Sequence, residues 1–485
     1  MTQFDKRNLS MMMDFYEMTM SYGYFDGHHG DVRVAFDLFF RSVPDKGGYA
    51  VFAGLEHVIE FVENLSFSEE DIEYFRQQKL FSEGFLTFLK TFRFRGDIYS
   101  LPEGTIIYPD EPLMTIVAPA IDAQLLETAI LSQINHQSLI ATKASRIVRA
   151  AEGRNVSDFG ARRAHNMDAA TYGARAAYIG GVDMTATVSA GQQFGIPISG
   201  TMAHSWVMFF EDEFTAFKKY AELYPQATVL LVDTYDVLHS GIPNAIRTAH
   251  EVLAPRGHRL AGVRIDSGDL AYLSKRVRTM LDDAGLTDCK IILSNSLDEF
   301  TISSLLLQGA QVDSFGVGER LITAKSDPVF GAVYKLVAVE KDGVFAPRIK
   351  MSENVEKLTN PGIKDLYRIY DRHGKAVADM LALQGEEIDL TKPFRYVDPR
   401  KPWKNRFFEG FSAVNLRRLY VRSGKRVEQL PTLEEIRCYV QKQLAEEIWP
   451  EEQRFENPHR HYLDMTPMYY EVKMGLLDDM RGKHS

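Results

Sequence analysis

A histidine in the middle of the chain stands where it could act on a substrate. His204 lies in the string Ser199-Gly-Thr-Met-Ala-His-Ser, just after a strand-like run that ends at Gly200. A histidine on such a loop, among small residues, is reachable by solvent and can act as a base or as a nucleophile. A structural histidine held by hydrogen bonds is the alternative interpretation.

An arginine in the same region indicates that the substrate is an anion. Arg264 interrupts an otherwise apolar run, two residues before Asp266. Burying a guanidinium is unfavourable unless an anion pairs with it. We therefore expect a carboxylate or phosphate ligand, or an acidic neighbour, next to this side chain. Arg162 and Arg163 add positive charge at the end of another run.

Two glycines, Gly316 and Gly318 in Ser314-Phe-Gly-Val-Gly, would let backbone amides approach a phosphate. A bare Gly-x-Gly is also common in turns, and the sequence contains neither Gly-x4-Gly-Lys-Ser/Thr nor Gly-x-Gly-x-x-Gly. Aspartates at the ends of neighbouring runs, such as Asp233 and Asp266, could hold Mg2+. Together these groups predict group transfer on an anionic, phosphorylated substrate.

The elements that must position these residues are short apolar runs that alternate with helical stretches. The candidate strands begin at Val156, Gly181, Ile196, Val229, Gly262, Ile291, Ser314 and Val333. The alternation predicts parallel βαβ units and favours an α/β barrel, with a doubly wound open sheet as the alternative. In a barrel, the polar groups at the carboxyl ends of the strands share one mouth. Those ends carry Asp158, Asp183, Thr201, Asp233, Asp266, Asn295 and Gly318.

The flanking segments predict further helices and turns. Apolar residues at helical spacing predict a helix from near Tyr49, a long helix over 122–151 and a helix over 432–447. Proline and glycine between residues 95 and 112 indicate short strands and turns. His459 and His461 are expected to be exposed polar residues of the C-terminal part, because no cysteines accompany them as metal ligands.

The composition excludes several classes of protein. The chain has 485 residues, 56 of them basic and 66 acidic, with a formal net charge of −10. Hydrophobic residues at 45% and charged residues at 25% are typical of a globular protein. The acidic balance argues against a nucleic-acid binder, and two cysteines cannot form a disulfide framework. Without a signal-peptide core or an apolar stretch of about 18 residues, no membrane association is expected and the protein is predicted to be cytoplasmic.

Several strings of the sequence form a recognisable series. They are Asp14-Phe-Tyr-Glu-Met-Thr-Met, Asp158-Phe-Gly-Ala-Arg-Arg, Gly200-Thr-Met-Ala-His-Ser, Leu231-Val-Asp-Thr-Tyr-Asp, Gly262-Val-Arg-Ile-Asp-Ser-Gly-Asp, Ser294-Asn, Gly331-Ala-Val-Tyr-Lys-Leu-Val and Pro347-Arg-Ile-Lys-Met-Ser. In this order, over about residues 10–365, they closely resemble the nicotinate phosphoribosyltransferase family in its longer bacterial form. The remaining C-terminal part carries little motif information.

The resemblance implies a type II phosphoribosyltransferase fold, in which an irregular α/β barrel packs against a mixed α+β domain. The chain then divides into an N-terminal mixed α+β domain (1–135), a barrel catalytic domain (136–345) and a C-terminal segment packed on both (346–485). The implied activity joins nicotinate to 5-phosphoribosyl 1-pyrophosphate and releases nicotinate mononucleotide and pyrophosphate, the first step of NAD salvage from nicotinate. ATP would be hydrolysed as a co-substrate, with Mg2+ as the cofactor.

The family match also implies roles for single residues. ATP would phosphorylate His204, while Asp233 and Asp266 would stabilise an oxocarbenium-like transition state or, above all Asp266, hold Mg2+. The implied nicotinate ligands are Tyr16, Phe159, Thr201 and Arg264. The implied phosphoribosyl and phosphate ligands are Arg163, Ser294, Asn295, Gly316 and Gly318. The resemblance further implies a homodimer in which the segment around Tyr16 covers the barrel mouth of the other subunit.

One position departs from the family, and two other functions stay open. Animal members carry a threonine after the Gly-x-Gly, whereas this chain has Glu319. An anionic side chain beside a phosphate is unfavourable unless it turns away or meets Mg2+. One alternative function is nicotinamide phosphoribosyltransferase, which shares the fold and the histidine. The other is a catalytically silent relative that binds pyridine nucleotides.

Overall fold

The computed structural model describes residues 8–350, 359–389, 393–397 and 405–484. The chain divides into two compact units: a central unit of residues 143–328, and a terminal unit built from residues 1–142 and 329–485. Within the described ranges, no helix is both long and apolar enough to cross a membrane.

Residues 8–150 mix helices and strands. The helices are α1 (Phe15–Asp26), α2 (Leu55–Asn64), α3 (Glu69–Gln77), α4 (Glu83–Lys90), α5 (Ala120–Gln124) and α6 (Glu127–Ala150). The strands are β1 (Arg33–Phe39), β2 (Ala50–Val51), β3 (Asp97–Ser100), β4 (Ile106–Ile107) and β5 (Met114–Pro119). The short strands and turns predicted between residues 95 and 112 are therefore confirmed.

Two predicted helices differ in extent from the observed ones. The helix predicted from near Tyr49 begins only at Leu55, because Gly54 has a left-handed φ of 105° and the preceding β2 pairs with β4. The single helix predicted over 122–151 is divided into α5 and α6. Leu125 and Leu126, at the division, are both buried. Adjacent residues of one helix point about 100° apart, so the break lets both side chains reach the core.

The central unit alternates strands with helices. Its strands are β6 (Asn155–Asp158), β7 (Met184–Thr185), β8 (Val229–Leu231), β9 (Gly262–Ile265), β10 (Lys290–Ser294) and β11 (Ser314–Val317). The helices are α7 (Met167–Ile179), α8 (Val188–Phe194), α9 (His204–Phe209), α10 (Glu213–Leu223), α11 (Ile242–Thr248), α12 (Leu270–Asp283), α13 (Glu299–Leu307) and α14 (Glu319–Ile322).

The order of the strands distinguishes a barrel from an open sheet. All pairs are parallel, in the order β7-β6-β11-β10-β9-β8. The last strand of the unit, β11, pairs with the first one, β6. In a barrel the last strand returns to the first one, whereas a doubly wound sheet keeps its first and last strands apart. The sheet stays open between β7 and β8, so it forms a half barrel. The predicted irregular α/β barrel is confirmed, and the doubly wound alternative is wrong.

Two of the predicted strands do not lengthen this sheet. The run at Ile196 contributes a single bridge, between Thr185 and Ile198. The run at Val333 forms β12 (Val333–Lys341), which pairs antiparallel with β1 in the terminal unit. There the Tyr334 ring stacks on Phe36, with centroids 4.6 Å apart. The position of β12 is decided by its packing against β1, a strand some 300 residues earlier. The hydrophobic pattern within β12 does not predict this partner.

The rest of the terminal unit is mainly antiparallel. It contains β13 (Val344–Pro347), β14 (Lys364–Tyr370), β15 (Ala376–Leu383), β16 (Phe394–Val397), β17 (Asn405–Phe408), β18 (Ser412–Asn415), β19 (Arg418–Arg422), β20 (Lys425–Arg426), α15 (Leu433–Lys442), β21 (Leu463–Met465) and α16 (Pro467–His484). One sheet has the order β13-β12-β1-β5-β3-β19-β20, and another has the order β18-β14-β15-β21. The helix predicted over 432–447 is confirmed: Thr432 caps α15, and a π-helical turn continues it to Glu447.

A group of charged side chains is buried in the terminal unit around His461. The His461 side chain is 0% exposed, and its ring stacks on Tyr108 with centroids 3.8 Å apart. Its Nδ1 lies 3.1 Å from Glu452 Oε1, and its Nε2 lies 3.6 Å from Asp379 Oδ1. Arg368 donates hydrogen bonds to both oxygens of Asp379. Such pairing makes burial of the charges tolerable. The prediction that His461 is exposed was therefore wrong, whereas His459 is exposed as predicted.

The buried histidine makes stability depend on pH. Burial lowers the pKa of His461, but the charges of Asp379 and Glu452 and the hydrogen bond to Glu452 outweigh it and raise that pKa above its ordinary value. The folded state therefore holds this proton more tightly than the unfolded chain. The resulting stabilisation is complete below about pH 6.5 and is lost as the pH rises through the folded-state pKa.

We therefore expect His461→Gln to lower the free energy of unfolding by about 3–5 kcal/mol near pH 6, because it removes a buried cation that faces the carboxylates of Asp379 and Glu452. The loss should be smaller near pH 9.5. Urea unfolding of wild type and variant at the two pH values measures the difference. His459→Gln, at an exposed histidine two residues away, is the matched control and should change neither value. An equal loss at both pH values would show that His461 is uncharged in the folded protein.

Candidate active site

The carboxyl ends of the parallel strands bring most of the predicted site residues to one edge of the central sheet. β6 ends at Asp158 and β10 ends at Ser294, while Asp233 and Asp266 follow β8 and β9. Since the strands are all parallel, these ends lie on the same side of the half barrel. Tyr16 is the exception, because it lies on α1 in the terminal unit and is 43% exposed.

His204 is surrounded by one hydroxyl and two carboxylates. It is the first residue of α9, and its side chain is 41% exposed. Its Nδ1 lies 3.2 Å from Thr234 Oγ1. Its Nε2 lies 3.9 Å from Asp233 Oδ1 and 3.9 Å from Asp266 Oδ2. The geometry favours a functional histidine with one ring nitrogen in a hydrogen bond and the other facing acidic groups.

The Asp233 carboxylate is held at one oxygen and open at the other. Its side chain is 1% exposed, and Oδ2 accepts hydrogen bonds from Asp266 N at 3.1 Å and Ser267 Oγ at 2.6 Å. Among the described residues, Oδ1 has no hydrogen-bond donor. A buried carboxylate oxygen without a partner is unfavourable. A protonated His204 or a cation supplied with the substrates would satisfy it.

Arg264 has the acidic neighbour that its sequence context predicts. It donates to Ser294 Oγ at 2.8 Å, Thr201 Oγ1 at 3.2 Å and Asp266 Oδ1 at 3.0 Å. These bonds use three of the five N–H donors of a guanidinium. Within the part of the chain that the structure describes, one N–H on each Nη has no acceptor, and two such donors form the fork that fits a carboxylate.

Phe159 supplies an aromatic face beside this arginine. The Arg264 guanidinium carbon lies 5.1 Å from the centre of the Phe159 ring. A Cβ on Gly316 would lie 2.4 Å from that ring, so only glycine leaves room for it. The preceding Asp158 is buried, and its carboxylate accepts hydrogen bonds from Gly160 N and Thr185 Oγ1, both at 2.8 Å. Burial raises the pKa of Asp158. Through these two hydrogen bonds, Asp158 stabilises the turn that carries Phe159.

Glu319 turns toward cations. Lys325 Nζ donates to Glu319 Oε1 at 2.6 Å, and Arg163 Nε lies 3.8 Å from Oε2. The hydrogen bond from Lys325 lowers the pKa of Glu319, so its carboxylate stays ionised. These three side chains line a cavity of about 370 Å³ together with His165, Thr323 and Pro328. The charge of Glu319 is thus offset by Arg163 and Lys325, which line the same cavity.

The remaining predicted phosphate ligands lie at turns of the same edge. Asn295 has a φ of 93°, and the next residue, Ser296, has a φ of 51°. Two successive residues in the left-handed region turn the chain sharply after β10 and leave Asn295 exposed. Gly318 precedes α14, and a Cβ there would lie 3.2 Å from Phe159 O. The phosphate-binding roles of Asn295 and Gly318 stay predictions.

Asp266 and Asp233 are the residues that could hold Mg2+. Within the described residues there is no cluster of three or more His, Cys, Asp or Glu side chains suited to a metal ion. Mg2+ commonly takes one or two carboxylates and completes its shell with phosphates and water. The open Oδ1 of Asp233 and the nearby Oδ2 of Asp266 fit such a site once a phosphorylated substrate is bound.

Sequence reasoning missed three residues of this site: Thr234, Ser267 and Lys325. Thr234 and Ser267 each directly follow one of the predicted aspartates, so their position at a strand end was a usable signal. Lys325 stands six residues after Glu319 with no motif around it. Only its ion pair with Glu319 indicates a role for it.

Family models match nearly the whole chain. The nicotinate phosphoribosyltransferase N-terminal domain matches residues 11–135, the family's main model matches residues 154–359, and its C-terminal domain matches residues 363–473. The chain belongs to the nicotinate phosphoribosyltransferase family. As a member of this family, it is a phosphoribosyltransferase.

Relatives in the family are similar over almost the full length. The nicotinate phosphoribosyltransferase of Bacillus subtilis is 44% identical over 484 residues, which cover 99% of this chain and 97% of the relative. That of Caenorhabditis elegans is 33% identical, over 95% of this chain and 92% of the relative. The crystal structure of human nicotinic acid phosphoribosyltransferase superimposes with a TM-score of 0.86 at 28% identity, covering 96% of this chain and 100% of the human one. The fold is therefore that of a type II phosphoribosyltransferase.

Proposed function

We propose that this phosphoribosyltransferase joins nicotinate to 5-phosphoribosyl 1-pyrophosphate, giving nicotinate mononucleotide and pyrophosphate as the first step of NAD salvage from nicotinate. We further propose that ATP drives the reaction through a phosphohistidine at His204. One observation carries the proposal: an arginine with two N–H donors that no described residue accepts and a half-exposed histidine between two aspartates share one sheet edge. Full-length similarity to enzymes named for nicotinate supports the choice of substrate.

Nicotinate is a flat ring that carries a carboxylate, and the proposed ligands fit both parts. The two remaining N–H groups of Arg264 would bind the carboxylate as a fork. The Phe159 ring, 5.1 Å from the guanidinium, would stack on the pyridine. Thr201 would support Arg264 through the bond that it accepts from Nη1. The same fork has no anion to pair with in nicotinamide, so the acid should be preferred.

The acidic groups suit the transfer of a ribosyl group. Departure of pyrophosphate leaves positive charge on the ribose, and Asp233 or Asp266 would stabilise it. Mg2+, when bound at these carboxylates, would neutralise charge on the pyrophosphate. Arg163 would bind the phosphate groups with the help of Lys325, and Ser294, Asn295, Gly316 and Gly318 would provide the remaining hydrogen bonds to them.

Incubation of the purified chain with nicotinate, phosphoribosyl pyrophosphate and Mg2+, with and without ATP, tests the proposed function. Nicotinate mononucleotide, separated by chromatography, should form, and ATP should increase its yield. A parallel reaction with nicotinamide should give little product. Preferential use of nicotinamide would favour the first alternative function. Binding of pyridine nucleotides without turnover of either base would favour the catalytically silent one.

We also propose a homodimer with shared sites, in which Tyr16 of one subunit closes the site of the other. Helix α1 exposes the large apolar side chains of Tyr16 and Met20 one turn apart, and Met12, which precedes the helix, is exposed as well. Exposed apolar side chains of this size are unfavourable in water and suit a subunit interface. An aromatic ring over the mouth would exclude water from the pyridine.

Mixed dimers test this arrangement. Tyr16→Ala and His204→Ala homodimers should each be strongly impaired, because every site lacks one group. After joint unfolding and refolding of equal amounts, about half of the dimers should be mixed, each with one intact site. Activity should then recover to about a quarter of the wild-type value. If verified mixed dimers stay inactive, Tyr16 acts within its own chain.

A further inference from the structure

Among the described residues, the His204 ring has one hydrogen bond, and its partner is a side chain with no role predicted from the sequence. Thr234 follows Asp233 at the carboxyl end of β8, and its Oγ1 lies 3.2 Å from His204 Nδ1. We propose that Thr234 is a positioning residue, which holds the His204 ring so that Nε2 faces Asp233 and Asp266. The inference rests on the proposed function, because it concerns the phosphorylation of His204.

The ring needs such a contact, since little else restrains it. Its side chain is 41% exposed. The carboxylates of Asp233 and Asp266 are each 3.9 Å from Nε2, which is beyond hydrogen-bond distance. Rotation of the ring by half a turn about the Cβ–Cγ bond would put Cδ2 in the place of Nδ1 and Cε1 in the place of Nε2. Among the described residues, the hydrogen bond at Nδ1 is the contact that distinguishes the two orientations. The hydroxyl of Thr234 therefore decides which edge of the ring meets the acidic pair.

Threonine is suited to this task in two ways. Its hydroxyl can accept a hydrogen bond from Nδ1–H and can also donate one to a bare Nδ1. The contact therefore survives a change in the protonation of the ring during a reaction cycle. Its β-branched side chain has few rotamers, so the hydroxyl keeps a defined direction. A valine would have nearly the same shape and neither donor nor acceptor.

Two adjacent residues at the end of β8 lie on the two sides of the His204 ring. Asp233 is fixed by the hydrogen bonds from Asp266 N and Ser267 Oγ, and its open Oδ1 faces Nε2. Thr234, the next residue, meets Nδ1. The end of β8 thus sets the distance of the His204 ring from the carboxylates. A shift of the ring would therefore affect the phosphorylation step more than it affects nicotinate binding at Arg264.

Single-turnover phosphorylation by γ-labelled ATP provides the test. Thr234→Val should slow the formation of the phosphoenzyme by about 2- to 13-fold, the factor for one lost neutral hydrogen bond. Thr234→Ser, which keeps the hydroxyl, should restore most of the rate. In both variants the KM for nicotinate and the rate of transfer without ATP should change less than the rate of phosphorylation. Thr279→Val is the matched control, because the exposed Thr279 hydroxyl, among the described residues, donates a hydrogen bond only to the Lys275 carbonyl of α12.

Three results would overturn the inference while the proposed function stands. They are a Thr234→Val enzyme that is phosphorylated at the wild-type rate, a Thr234→Ser enzyme as slow as Thr234→Val, and an equal loss in the reaction without ATP. A wild-type enzyme that takes no label from ATP would be a different failure. It would overturn the phosphohistidine of the proposed function and this inference together. Unfolding curves of the variants distinguish a slow enzyme from an unstable one.

Discussion

Replacing His204 with alanine is expected to abolish the phosphoenzyme and, with it, all stimulation of the reaction by ATP. The imidazole is the group at this edge of the sheet that can accept a phosphoryl group reversibly, and its ring nitrogen faces two carboxylates at 3.9 Å. Alanine offers no nucleophile. Transfer from phosphoribosyl pyrophosphate without ATP does not need the phosphoenzyme and should persist at its low basal rate.

The stability of the label identifies the residue. A phosphoimidazole is labile in acid and stable in base, unlike a phosphoserine, so label from γ-labelled ATP should survive alkali and disappear in acid. His239→Ala is the control, since the His239 side chain is 85% exposed and, of the residues that the structure describes, contacts only Asp236 through a hydrogen bond. That variant should be labelled like wild type. Undiminished labelling of His204→Ala would assign the phosphoryl group to another residue.

Replacing Arg264 with lysine is expected to lower kcat/KM for nicotinate by about 10- to 150-fold. That factor corresponds to the loss of hydrogen bonds to a charged group, worth about 1.5–3 kcal/mol. Lysine keeps the positive charge, but it cannot bond Ser294, Thr201 and Asp266 at once and still offer a planar fork to the substrate. The weak reaction with nicotinamide, which has no carboxylate, should hardly change.

Steady-state kinetics with both bases distinguish this effect from a general loss of activity. Arg259→Lys is the matched control, because Arg259 is 79% exposed and forms an ion pair with Asp288 at the surface. It should leave both reactions unchanged. If Arg264→Lys uses nicotinate like wild type, the carboxylate is bound elsewhere, and Arg163 becomes the next candidate.

The class of fold and the chemistry of the site could be inferred from the sequence because both depend on local patterns. Apolar runs that end in polar residues mark parallel strands, and parallel strands place their carboxyl ends at one edge. His204, Asp233 and Asp266 were found in this way. The burial of Arg264 inside such a run required an anion, and Asp266 proved to be its neighbour.

The tertiary structure decided what depends on residues far apart along the chain. The half barrel depends on the pairing of β11 with β6. Strand β12 belongs to the terminal sheet instead, because it pairs there with β1. The hydroxyl at His204, the contact of Arg163 with Glu319 and the burial of His461 follow the same rule. Each depends on a contact between elements that only folding brings together. Such a contact stabilises the fold, but it requires no periodic pattern in the sequence around either partner, so the sequence does not reveal it.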